Sequence, residues 1–289
     1  MPTAHVNGID IEYETIGNPA DPPLLIVMGL GGQLIAWPQQ FVDDLAGRGF
    51  HVIRYDNRDV GLSTKFEGVP DFAALFTGDG SSAPYRIEDM ADDASALLAH
   101  LGVGRAHVMG VSMGGMITQA LVINHAEQFL TACSIMSTTG DRTVGAPTGE
   151  AATALLRPPA TTRDEAIRGS VEGSKVISSP AYPFDVEVMT RRAEAAYDRN
   201  FCPEGTARQL GAILGSPDRT EGLRAVDMPF LVIHGEADPL VTLSGGQATA
   251  AAVPGAKLIV IPGMGHDLPE ALWGEIIDAV VANTALAAV

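Results

Sequence analysis

Short, wholly apolar runs alternate with helical stretches along most of this chain, and that alternation leaves few folds open to it. Residues 24–28 (Leu-Leu-Ile-Val-Met) carry no polar side chain, so a strand there must be buried on both faces. Comparable strand-like runs stand at 51–56, 105–109, 130–136, 229–235 and 257–261. Helical periodicity falls between them, at 37–48, 87–100, 115–123, 244–252 and 269–283. In the 87–100 stretch, Met90, Ala94, Leu97, Leu98 and Leu101 recur on one helix face. Strand–helix alternation of this kind predicts an α/β fold with a mostly parallel sheet covered by helices on both sides. At the N-terminus, Asn7-Gly8 between two alternating runs predicts a hairpin.

The alternation lapses from about 138 to 222, where helical stretches are interrupted by Pro158-Pro159, Pro180 and Pro183. An insertion there, between two strands of a parallel sheet, would sit over the strands' C-terminal edge, where such sheets bind ligands. The expected organisation is therefore a core in two parts, 1–137 and 223–289, with a helical cap at 138–222.

A chain of 289 residues is long enough for one large core. Its net charge of −17, with Lys65, Lys175 and Lys257 the only lysines, repels phosphate backbones and anionic lipid. Nucleic-acid binding and stable membrane association are accordingly not expected. No apolar run reaches the ~20 residues of a membrane span, and the start of the chain lacks a signal-peptide pattern, so the expected compartment is the cytoplasm. Cys133 and Cys202 have neither disulfide-framework nor metal-ligand spacing.

The candidate chemistry centres on Gly110-Val111-Ser112-Met113-Gly114, with a strand before it and a helix after it. A serine on a sharp strand-to-helix turn projects its hydroxyl from the sheet edge, and the glycines allow the turn and the close approach of substrate. In a chain with 32 glycines the pentapeptide alone is a weak signal, so its context must carry the assignment. A nucleophilic serine needs a base and the base an orienting carboxylate. His266, in the glycine-flanked loop Gly263-Met264-Gly265-His266 after a strand, is the candidate base; the other histidines lie in strands or at helix ends. Asp238, held before Pro239 just past a strand end, is favoured as the carboxylate over Asp141, and Glu236 and Asp267 are neighbours of these positions.

The order Ser112, Asp238, His266 is that of α/β-hydrolases. Together with Met28-Gly29-Leu30-Gly31-Gly32 and Tyr55-Asp56-Asn57-Arg58-Asp59-Val60-Gly61-Leu62-Ser63, it makes the chain resemble the α/β-hydrolase family over essentially its whole length. Within that family, residues 27–29, Trp37-Pro38 and 51–56 look most like the aclacinomycin methylesterase-like hydrolases. The resemblance implies an oxyanion hole from the backbone N–H groups of Leu30 and Met113. Many family members carry His-Gly where this chain has Met28-Gly29, which removes a polar side chain there and leaves the N–H donors. It also implies a serine carboxylic ester hydrolase without a cofactor or metal, acting on a small-molecule ester that bears an apolar group. A lactonase, thioesterase, carbon–carbon bond hydrolase or cofactor-free perhydrolase would use the same triad, and a non-catalytic binding protein would not need it. Expected pocket residues are Met28, Trp37, Phe72, Phe76, Tyr182, Phe184 and Met264, with Tyr197 and Phe201 also on the cap. The tip at 78–82 of the loop 66–85 is expected to be flexible.

Overall fold

The computed structural model describes residues 1–287. Eight strands form a single sheet in the order β1-β2-β4-β3-β5-β6-β7-β8: β1 Thr3–Val6, β2 Ile9–Ile16, β3 Pro23–Val27, β4 His51–Tyr55, β5 Ala106–Val111, β6 Phe129–Ile135, β7 Phe230–Gly235 and β8 Lys257–Ile261. The β1–β2 and β2–β4 pairs are antiparallel and every later pair is parallel. Asn7 and Gly8 both take positive φ, 49° and 77°, which is the turn geometry that matches the right-handed twist of two adjacent strands.

The helices are α1 Gln39–Gly47, α2 Phe72–Phe76, α3 Ile87–His100, α4 Met113–Asn124, α5 Gly149–Leu155, α6 Arg163–Ile177, α7 Val186–Arg199, α8 Pro203–Gly215, α9 Thr220–Leu223, α10 Leu243–Ala252 and α11 Trp273–Thr284. No helix among the described residues is long and apolar enough to cross a membrane.

Strand residues alternate between two cores, as the period of two demands. Leu25, Val27, Val108, Phe230 and Val232 face one cluster, which they share with Met90, Leu97, Ile117 and Leu121 of α3 and α4. Leu24, Ile26, Met109, Leu231 and Ile233 face the other, with Phe41 and Leu45 of α1 and Trp273, Ile276 and Val280 of α11. Wholly apolar strands are thus explained by helices on both faces. Helix α4 is buried from Met113 to Val122, because the sheet packs one side of it and α3 another.

One expectation changes. The helix expected from Trp37 starts at Gln39, after Pro38, whose missing N–H suits a helix entrance. Trp37 stays outside it, 1% exposed and stacked on Phe41 at 5.7 Å between ring centroids. The loop 66–85 is built around α2 and a 3₁₀ turn at Gly80–Ser82. Asp71 caps the first by accepting from the N–H groups of Ala73 and Ala74, and Asp79 caps the second through Ser81 N–H. Gly80 packs so closely on Gly215 of α8 that a Cβ there would lie 2.6 Å from the Gly215 carbonyl oxygen.

Candidate active site

Ser112 stands between β5 and α4 with φ 55° and ψ −120°, a left-sided conformation costly for any side chain. The turn is held from several sides. Ser112 N–H donates to Ile135 O at 2.9 Å, and its own carbonyl accepts from Gly115 N–H, Met116 N–H and the Ser137 hydroxyl. The two motif glycines are required by close approach: a Cβ on Gly110 would lie 2.0 Å from Gly114 O, and one on Gly114 would lie 2.1 Å from Val27 O. These contacts press the start of α4 onto the ends of β3 and β5, so the serine is presented at the sheet edge.

His266 Nε2 lies 2.9 Å from Ser112 Oγ, and His266 Nδ1 lies 2.7 Å from Asp238 Oδ2. Asp238 Oδ1 accepts from the N–H groups of Leu240 and Val241, both at 2.9 Å. A carboxylate only accepts, so Nδ1 carries the proton and Nε2 is left with a lone pair toward the serine hydroxyl. Asp238 and His266 are 4% and 8% exposed, which keeps water from competing for these bonds. Asp141 is not brought here. Its carboxylate accepts from the N–H and hydroxyl of Thr143, and these bonds hold its pKa below the usual range. Glu236 is exposed, and Asp267 bonds to Ser179.

Sequence reasoning gave no role to His234, which is fully buried with Nε2 3.6 Å from Asp238 Oδ2 and 2.7 Å from Val241 O. Burial pushes its pKa down, so it sits as a neutral imidazole that donates to Val241 and braces the turn carrying Asp238.

The turn after β3 approaches the serine directly. A Cβ on Gly29 would lie 3.1 Å from Ser112 Cβ. Among the described residues, neither Leu30 N–H nor Met113 N–H donates to a protein acceptor. The Met113 N–H opens α4, where the helix dipole favours negative charge. The neighbours of Leu30 are tied down: Gly31 N–H donates to Gln209 Oε1 at 2.8 Å, and Leu34 N–H to Asp56 Oδ1 at 2.7 Å.

A cavity of about 980 Å³ opens from Leu30, Gly31 and Gln33 and runs beneath α5 to α8. Phe72, Tyr197 and Phe201 line it, with Val60, Leu155 and Leu210. The other expected pocket residues are elsewhere. Trp37 and Met264 are in the core beneath the sheet, because each completes the apolar cluster with α1 and α11. Met28 and Tyr182 pack against the same cluster. Phe76 is 53% exposed on the outer face of α2, a five-residue helix too short to bury both of its aromatic ends. Phe184 is half-buried outside the cavity wall. Gln33, Val60 and the residues after α5 carry no local sequence signal that would place them in a pocket. Among the described residues no cluster of three His, Cys, Asp or Glu side chains is arranged to hold a metal ion.

An eight-stranded, mostly parallel sheet with a serine on the turn after its fifth strand, facing a histidine and a carboxylate from later strand ends, defines a hydrolase fold. Residues 25–279 match the family described as "Alpha/beta hydrolase family", and the chain belongs to it. It is 31% identical to the rhodomycin D methylesterase DauP of Streptomyces sp. (strain C5), with all of both chains covered. It is 29% identical to 3-oxoadipate enol-lactonase 2 of Acinetobacter baylyi, over 85% of this chain and 82% of that one. The crystal structure of the enol-lactonase from Burkholderia xenovorans LB400 superposes with a TM-score of 0.76 at 24% identity, covering 98% of this chain and all of that one.

Proposed function

We propose that this protein is a serine carboxylic ester hydrolase that cleaves an ester of a bulky, largely apolar acid and a small alcohol. The observation that carries this reading is His266 bridging Ser112 and Asp238 at 2.9 and 2.7 Å. In the first step His266 Nε2 takes the proton from Ser112 Oγ as the oxygen attacks the acyl carbon. The N–H groups of Leu30 and Met113 receive the oxyanion. The imidazolium, balanced by Asp238, then gives its proton to the leaving alkoxide, and the alcohol departs. Water repeats the sequence on the acyl-enzyme, with His266 again as base, and releases the acid and free Ser112.

The side on which the bulk lies follows from proton delivery. The leaving oxygen must face His266, whose loop packs closely on the end of α6: a Cβ on Gly265 would lie 2.6 Å from Ser178 O. The cavity begins at Leu30, one of the two proposed oxyanion donors, and on that ground the acyl group is assigned to it. Helices α5 to α8 act as its cap. A methyl ester of a polycyclic acid fits this division, and the likeness to a rhodomycin D methylesterase supports it. A lactonase is the second reading, favoured by the likeness to an enol-lactonase.

The test pairs esters in two series, bulky acid with methanol and short acid with bulky alcohol, and measures kcat/KM for wild type and Ser112→Ala. The expected result is a preference for the first series and a loss of at least about 10³-fold in kcat with Ser112→Ala. Turnover that survives Ser112→Ala would overturn the assignment, and preference for the second series would reverse the acyl placement. Faster opening of unsubstituted lactones than of either series would favour the lactonase.

A further inference from the structure

The loop carrying His266 is fastened to the end of α6 and the segment that leaves it, through five hydrogen bonds. His266 N–H donates to Ile177 O at 2.8 Å, and Ala181 N–H donates to Gly263 O at 3.3 Å. Gly265 N–H donates to Ser179 Oγ at 2.7 Å, while Asp267 Oδ1 accepts from both Ser179 N–H, at 3.0 Å, and the Ser179 hydroxyl. Ser179 is only 2% exposed, so its hydroxyl works as a relay, taking the bond from one side of His266 and passing its own to the other. The residues before and after the imidazole are therefore locked to a single side chain from a different part of the fold.

We propose that Ser179 and Asp267 are positioning residues for His266, and that the Asp267 carboxylate adds a second negative charge favouring the imidazolium. The inference rests on His266 being the base of the reaction. The charged and titratable groups that face His266 are few. Asp238 is bonded to it, His234 stands behind Asp238, and Asp267 adjoins it in the chain. The segment 178–181 that packs against Asp267 brings no charge of its own. Burial, joined by the nearby Asp238 carboxylate, raises the Asp267 carboxyl above its ordinary value, and the Ser179 bonds and His266 oppose that rise.

A purely structural serine would affect folding and substrate binding without touching the pH dependence of turnover. The discriminating experiment measures kcat, KM and the pH dependence of kcat/KM on p-nitrophenyl butyrate for Ser179→Ala, Ser179→Thr, Asp267→Asn and the Ala/Asn pair, beside His266→Ala. Expected are kcat losses on the order of 10-fold for Ser179→Ala and Asp267→Asn, with KM within about twofold. The pair should fall no further than the worse single change, because the two residues act as one unit. Ser179→Thr, which keeps the hydroxyl, should recover most of the rate. With the Asp267 charge gone from beside the base, the acid limb of the Asp267→Asn profile should move to lower pH. Unchanged kcat in both single variants, or losses with a risen KM and an unmoved acid limb, would overturn the proposal while His266→Ala remains inactive. Wild-type turnover in His266→Ala would instead overturn the site assignment, and this proposal with it.

Discussion

Ser112 is the residue at which the chain accepts local strain. Its φ of 55° with ψ of −120° lies outside the regions open to L side chains, and conformations of this kind cost about 1–3 kcal/mol. The surroundings over-determine it: bonds from Ser112 N–H to β6, and from Ser137 to Ser112 O, clamp both sides of the peptide. Glycine adopts this conformation without a Cβ clash, so Ser112→Gly and Ser112→Ala separate strain from chemistry. Both should be inactive. In urea, Ser112→Gly should unfold about 1 kcal/mol later than Ser112→Ala, even though glycine loosens the unfolded chain more. A Ser112→Gly variant about 0.5–1 kcal/mol less stable than Ser112→Ala, the full cost of glycine's freedom in the unfolded chain, would mean that the turn is not strained. The neighbouring glycines allow no such exchange. At Gly110 a methyl group would meet backbone on one side and the Thr118 hydroxyl, at 2.5 Å, on the other.

At the scale of elements, both halves of the site are sewn to the helices between β6 and β7. Helix α7 reaches the turn after β3 through Gln33, whose amide donates to Ala196 O and Asn200 O, and through Arg199 on the buried Asp56. Helix α8 adds Gln209 on Gly31 N–H and Arg208 on Asp59, a two-bond pair with side chains 6% and 0% exposed. Removing one partner of such a pair leaves a buried charge uncompensated. Arg208→Met should cost about 3 kcal/mol in chemical denaturation and lower ester turnover, since α8 carries Gln209 to the turn bearing Leu30. Arg163→Ala, which deletes an exposed pair with Asp198, should leave Tm unchanged. A silent Arg208→Met would show that α8 is seated without the Arg208–Asp59 pair. These long-range ties mark where sequence reading stops. The hairpin at Asn7-Gly8, the apolar strands and the turn at Ser112 were legible because their signals are local: positive-φ residues, uninterrupted apolar runs, glycines at a close approach. Asp238 was legible from the proline that follows it and from its place after a strand. Trp37 and Met264 were placed in a pocket from their nearness in sequence to the site, and they are core, because strand-flanking residues also point beneath the sheet. Ser179 gave no signal at all; its partner is 88 residues away, and only the packing of 178–181 on the histidine loop brings them together.

Over the whole molecule, a net charge of −17 sets the background on which every local bond acts. Mutual repulsion of surface carboxylates opposes the compact state, and salt screens it with a Debye length near 10 Å at about 0.1 M. Tm should therefore rise as NaCl is raised from about 10 to 200 mM; a fall would mean that exposed ion pairs outweigh the repulsion. Acid works in the opposite direction through two histidines. His107, bonded to Thr131 and edge-on to Phe50, and His234, beside Asp238, are both buried, and burial lowers the pKa of each below the ordinary 6.5. An unfolded chain binds protons at these sites more readily than the folded one does. Their contribution is then fully present above pH 6.5 and declines as the pH drops from there toward the lower folded values. Tm at fixed salt should fall between pH 7 and pH 5. His107→Gln, remote from Ser112, should flatten that fall whatever it does to Tm at pH 7. The slope is the readout. A variant as steep as wild type would show that His107 takes up its proton without leaving the folded state.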